Sequence, residues 1–172
     1  MNDTLRVELI EMARAEDAMR ADVPGSGDLE LQPIVAHHEL TALRKEHNTR
    51  LRQILDDIGW PGEAVVGADG ADAAWRLAMF ASDDRELQGR CLLLMEDFSE
   101  DADVAAHQPA FLLDRLLVAD GKPQIYGSQC IVSPEGIVPC STTDSDGLDA
   151  RRAAIGCEPI AVALERIRKE HA

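Results

Sequence analysis

Apolar residues recur at steps of three and four along most of this chain, and that period breaks only after Gly121. Residues spaced in this way share one face of an α-helix, so most of the chain has to fold as amphipathic helices. Aromatics are only 3% of the sequence, and a core of Leu, Ile, Val, Ala and Met suits helix packing. At 172 residues and 45% hydrophobic, the chain can bury a real core as one domain over residues 1–172. The expected fold class is mainly α (α+β): a compact helical domain with one small antiparallel β-hairpin.

The first helix is expected from Thr4 to Asp22, with Leu5, Leu9, Met12, Glu16 and Met19 on one stripe. Val23 to Gly27 breaks it. A long helix from Gln32 to Ile58 follows, carrying Leu40, Leu43, His47, Leu51, Ile54 and Ile58, and Gly59-Trp60-Pro61-Gly62 ends it. A helix over Asp72 to Ala81 should bury Trp75 and Ala78. Asp83 with Glu86 resembles a capping box for a helix with Leu87, Cys91, Leu94, Met95 and Phe98 inside. Glu96 to Asp103 reads as an acidic connection. Pro109 opens a helix that buries Leu112, Leu113, Leu116 and Leu117 and stops at Gly121. Then the period changes. Gln124 to Ser133 and Ile137 to Thr142 read as strands around Pro134-Glu135-Gly136. Asp149 is expected to cap a short helix bearing Arg151 and Arg152, and a last helix runs from Pro159 to Lys169.

The formal net charge of -15 repels phosphate backbones and anionic membranes, so no nucleic-acid or membrane partner is expected. Met1 to Arg6 lacks an apolar signal core, and nothing later approaches a membrane span, which argues for the cytoplasm. Cys91, Cys130, Cys140 and Cys157 lack C-x-x-C spacing and read as free thiols there. His37-His38-Glu39 is not H-E-x-x-H, and Asp144 to Asp149 lacks the closing Glu of a calcium loop, so no metal or cofactor is expected. No nucleophile elbow, Walker loop or dinucleotide fingerprint occurs.

Two ionisable residues sit where the pattern asks for hydrophobes. Glu16 lies between Met12 and Met19, and His47 between Leu43 and Leu51. A buried carboxylate needs a cation, and Arg20 is one turn on in the favourable order. Glu16 and Arg20 read first as an ordinary helix pair at the edge of the stripe, and second as a pair lining a pocket. His47 fits a half-buried imidazole on a backbone carbonyl, or a catalytic group.

Polar groups are densest from Asp114-Arg115 to Gln124-Ile125-Tyr126-Gly127-Ser128-Gln129. On a strand, Gln124, Tyr126 and Ser128 share a face. If Arg115 reaches that face, its fork would hold a carboxylate or phosphate while Tyr126, Gln124 and Gln129 orient it. The same residues also suit a buried polar network that locks the hairpin onto the helices.

The order Gly59-Trp60-Pro61, Val66-Gly67, Ala71 with Ala74-Trp75, Gln88 with Cys91-Leu92, Asp114-Arg115, Gln124-x-Tyr126-Gly127-Ser128-Gln129 and Arg151-Arg152 through Gly156 resembles a bacterial domain family of unknown function, frequent in actinobacteria. The resemblance covers about Leu51 to Ile160 and, more loosely, Glu16 and Arg20. It implies no established activity. Where the family shows Gln-His-Ala-Asp, this chain has Met79-Phe80-Ala81-Ser82, so the family's best acid–base candidate is a phenylalanine here. The expected function is binding of a small anionic ligand or peptide end, without catalysis, at Glu16, Arg20, Arg115, Gln124, Tyr126 and Gln129. The alternatives are a hydrolase or transferase with an acid–base pair in that pocket, and an acidic protein-interaction module.

Overall fold

The computed structural model describes residues 1–21, 34–98, 103–133 and 136–170. They fall into two compact units, Met1–Val104 and Ala105–Ala172. Among the described residues the architecture is mainly α with one small antiparallel hairpin.

The first unit contains α1 (Asp3–Ala21), α2 (Ile34–Ile58), α3 (Glu63–Phe80) and α4 (Arg85–Phe98). Helix α1 packs on α2 and α3, and α3 packs on α4. The α1 stripe buries Leu5, Leu9, Ala13 and Glu16, and α2 buries Leu51, Ile54 and Leu55. Leu77, Leu87, Cys91 and Met95 complete the core with Trp60, the largest fully buried side chain. Each such aliphatic side chain contributes about 1.5–3 kcal/mol through lost contact with water. Met12, Met19, Leu43 and Leu94 of the expected stripes are half-buried at the edge of the core. Ile58 is 44% exposed, and Trp75 is only half-buried, leaving Trp60 as the indole of the core.

The starts of α1, α3 and α4 are set by side-chain oxygens. Asn2 Oδ1 accepts the Leu5 N–H at 3.1 Å and caps α1. For α4 the cap is Asp84, not the expected Asp83: its carboxylate accepts the Leu87 N–H at 3.0 Å. Asp83 instead faces the Asn48 amide at 3.5 Å. Helix α3 begins nine residues before the expected Asp72. Gly67 interrupts it with φ 74° and ψ 165°, and that break hid the first turn from a periodicity reading. Its cap comes from far along the chain. Asp103 accepts the Ala64 N–H on its carboxylate and the Glu63 N–H on its carbonyl, the latter at 3.2 Å. A Cβ at Gly62 would collide with the Asp103 carboxylate, so the glycine admits the cap.

The second unit contains α5 (His107–Ala119), β1 (Cys130–Ser133), β2 (Gly136–Pro139), α6 (Leu148–Ala154) and α7 (Ile160–Glu170). The strands pair antiparallel, with Cys130 opposite Pro139 and Ile131 opposite Val138. The expected turn residues Pro134 and Glu135 lie outside the described residues. Helix α7 packs against β2, where the Arg168 guanidinium donates to the Ile137 carbonyl at 2.8 Å. Asp149 does not cap its own helix, as the sequence suggested. Its Oδ1 accepts the Ile160 N–H at 2.8 Å and so caps α7.

The expected strand Gln124–Ser133 forms only from Cys130. Gln124 makes an isolated parallel bridge to Thr142, and residues 125–129 leave the ladder. Backbone groups of Ile125, Tyr126 and Ser128 bond to side chains of α5 and α6, while the Gln129 N–H donates to Gln124 Oε1 and the Gln129 carbonyl accepts the Cys140 N–H.

Removing the remote cap of α3 should be felt through the whole first unit. Asp103→Ala is expected to lower unfolding free energy by about 1–2 kcal/mol in urea titration, the usual cost of a lost cap. Gly62→Ala should cost at least as much, and an unchanged midpoint for both would show that the cap is idle.

Candidate functional site

In the second unit the dense polar stretch is built around Asp114. This residue sits on α5 in line with buried Ala110, one turn earlier, and is itself 0% exposed. Its carboxylate accepts N–H groups from Ile125 at 2.7 Å, Tyr126 at 3.1 Å and Ser128 at 3.0 Å. The Ser128 hydroxyl adds a bond of 2.9 Å. The carboxylate that holds this segment belongs to Asp114, and α5 turns its neighbour Arg115 about 100° from it. Arg115 is half-buried.

The carbonyls of the same peptides are taken by the consecutive arginines of α6. Arg151 Nε donates to the Ile125 carbonyl at 2.9 Å, and Arg152 Nη1 to the Tyr126 carbonyl at 2.8 Å. Arg151 also donates to the Thr143 and Asp144 carbonyls at 2.6 and 2.7 Å. Gln124, 0% exposed, bridges two chain segments: its amide N donates to the carbonyls of Gln129 and Cys140, both at 2.9 Å, and its oxygen accepts the Gln129 N–H at 2.8 Å. Gln129 Nε2 donates to the Ser128 hydroxyl at 3.0 Å. Gly127 has φ 68°, and a Cβ there would press on Ile160 and Leu148 at 3.3–3.4 Å. The side-chain amides of Gln124 and Gln129 thus work inside the network, and the Tyr126 peptide is clamped while its ring is half-buried. Irregular backbone needs partners for its donors and acceptors, and this network supplies them.

In the first unit the two polar residues of the apolar stripes meet each other. Glu16 is 1% exposed, and its Oε1 lies 3.0 Å from His47 Nδ1. Its Oε2 lies 3.5 Å from Arg44 Nε, an ion-pair distance without hydrogen-bond geometry. Neither Glu16 Oε2 nor Arg44 Nε has a hydrogen-bond partner among the described residues. The sequence suggested Arg20 as partner; the described partners are on α2, and the Arg20 side chain lies outside the described residues. Arg44 escaped the sequence reading, although it lies one helical turn from His47 on the same face.

The surroundings tie this end of the first unit together. Asp17 forms an ion pair with Arg76, whose guanidinium lies 6.0 Å from the Phe80 ring centroid. Gln88, 1% exposed, donates to the Ala78 and Met79 carbonyls at 3.0 and 3.3 Å, and Arg52 binds Asp84 at 2.7 and 2.8 Å. Residues 78–84 are therefore held from both α2 and α4. A separate cleft of about 320 Å³, lined by Leu5, Glu8, Arg50 and Ile54 among others, opens elsewhere on α1 and α2.

Burial pushes the Cys91 thiol up to about 12, and it also raises Cys130 and Cys157. Thiols shifted upward stay protonated at neutral pH and are poor nucleophiles. The chemistry open to the first unit is that of a buried carboxylate holding an imidazole, with a guanidinium beside it.

The model of a family of unknown function, DUF6624, matches residues 3–170. The chain belongs to that family. The DUF6624 match runs through both units, so it takes in the Asp114 network and the Glu16–His47 pair alike. No curated protein and no solved structure matches the chain.

The Asp114 network makes a sharp demand on stability. Asp114→Asn replaces one acceptor oxygen by an N–H₂ facing backbone N–H groups. It should destabilise the second unit by about 3 kcal/mol or more, read by thermal or urea unfolding followed in the near-ultraviolet region. A change below about 0.5 kcal/mol would mean the bonds to residues 125–128 contribute nothing net.

Proposed function

We propose that the first unit binds a small anionic ligand, or the carboxylate end of a peptide, at Glu16, Arg44 and His47, without catalysis. The observation that carries this reading is the fully buried Glu16 with Arg44 and His47 beside it in the apolar seam of α1 and α2. Buried charge is costly, and replacing such groups by hydrophobes is often stabilising, so a fold alone gains little from them. Arg44 is the anchor of the proposal. Its side chain is 20% exposed while its Nε is buried 3.5 Å from Glu16 Oε2, and its planar fork suits a carboxylate or phosphate. Glu16 balances the charge, and Arg20, one turn further on α1, belongs to the proposed site by its position on that helix. A cytoplasmic setting is part of the proposal and is supported by the four free cysteines.

A second reading rests on the 3.0 Å contact between Glu16 Oε1 and His47 Nδ1. A carboxylate that fixes one ring nitrogen turns the other into a proton acceptor, which is the arrangement of a hydrolase or transferase with an acid–base pair.

Titration of the full chain with acetate and with inorganic phosphate, followed by the His47 ring resonances, tests both. Binding that weakens about tenfold or more in Arg44→Ala, with the helical circular dichroism unchanged, is the expected result. Binding that is indifferent to Arg44→Ala and to His47→Gln would overturn the site. Turnover of an ester or phosphoester substrate abolished by His47→Gln would favour the second reading over the first.

A further inference from the structure

Glu16 and Arg44 offer more than a place for an anion. Glu16 Oε2 is buried and accepts no hydrogen bond among the described residues, and Arg44 Nε, 3.5 Å away, donates none. A buried carboxylate oxygen without a donor is rare in folded proteins and is costly to leave so. The other oxygen is already committed to His47, which fixes the carboxylate's orientation. Two opposite charges therefore stand side by side, each with unused bonding capacity.

A bare anion entering beside Arg44 would also meet the negative charge of Glu16. A bare amine drawn to Glu16 would meet Arg44. A ligand avoids both repulsions only if it carries an ammonium and a carboxylate a few ångströms apart. The main-chain head of a free α-amino acid does so: its nitrogen and nearest carboxylate oxygen are about 3 Å apart by covalent geometry, close to the spacing of the protein pair. We infer that the Glu16–Arg44 pair recognises the zwitterionic head of a free α-amino acid. The ammonium donates to Glu16 Oε2, the carboxylate accepts from the Arg44 guanidinium, and His47 holds Glu16 in place. This inference rests on the ligand-binding reading above and names the class of ligand that site takes.

Calorimetric titration of the full chain with four small probes tests it. Glycine should bind at least about tenfold tighter than acetate, because it adds a charge-assisted hydrogen bond and removes a repulsion. Methylammonium should bind no better than acetate. The same should hold for 5-aminopentanoate, whose charges are separated by a chain of methylenes. In Glu16→Gln, which keeps shape but loses the charge, the preference for glycine over acetate should fall to within about twofold. If acetate binds wild-type protein as tightly as glycine, the zwitterion inference fails while the anion site stands. If neither glycine nor acetate binds, and inorganic phosphate leaves the His47 resonances unmoved in the titration above, both fail together.

Discussion

In the second unit the course of the chain from Ile125 to Ser128 turns on one carboxylate. Asp114 is carried inward by α5 and gathers the N–H groups of Ile125, Tyr126 and Ser128, while Arg151 and Arg152 gather the carbonyls of Ile125 and Tyr126 from the other side. A chain segment with no strand partner is thereby satisfied on both edges. Its course brings Gln124 to Gln129 and Cys140, which closes the base of the hairpin. It also brings Gly127 under Leu148 and Ile160, where α6 and α7 meet it. Charge-assisted bonds to backbone are stronger than neutral ones, so five peptide groups are fixed by three charged side chains.

The same device recurs at helix ends. Asp103 caps α3 and Asp149 caps α7, each from a position that is not the residue before the helix. Local sequence patterns name a cap only when it precedes its helix, as Asn2 does for α1. For that reason the helices themselves were legible from the spacing of their apolar residues, whereas the duties of Asp103 and Asp149 were not. The first turn of α3 was hidden for a related reason, since Gly67 breaks the helical period at a place where the chain continues as helix. The strand over Gln124–Ser133 was half legible. Alternation of side chains looks alike in a ladder and in a segment clamped by Asp114, and only the three-dimensional partner distinguishes them.

Glu16 and His47 could each be recognised as polar intrusions in an apolar stripe, and both are buried where the stripes predict. That they would meet each other was not legible, because the register of α1 against α2 depends on packing between helices far apart in the chain. Helical neighbourhood made Arg20 the natural partner of Glu16. Among the described side chains, contact across the helix pair gives it His47 and Arg44. The density of polar residues between Asp114 and Gln129 and the sparse polar pair in the first unit thus carry different meanings. The former bonds within itself, and the latter leaves a carboxylate oxygen and a guanidinium nitrogen side by side without a hydrogen bond among the described residues.

Whether Asp114 truly fastens this segment can be read at the amides themselves. Site-resolved hydrogen exchange of Ile125, Tyr126 and Ser128 addresses it without altering the protein. Bonded to a buried carboxylate, these amides should exchange only with the cooperative opening of the second unit, as slowly as the amides in the middle of α5. Exchange at the rate of an unstructured loop, while α5 stays protected, would contradict the clamp and return the stretch to the status of an open, mobile surface segment.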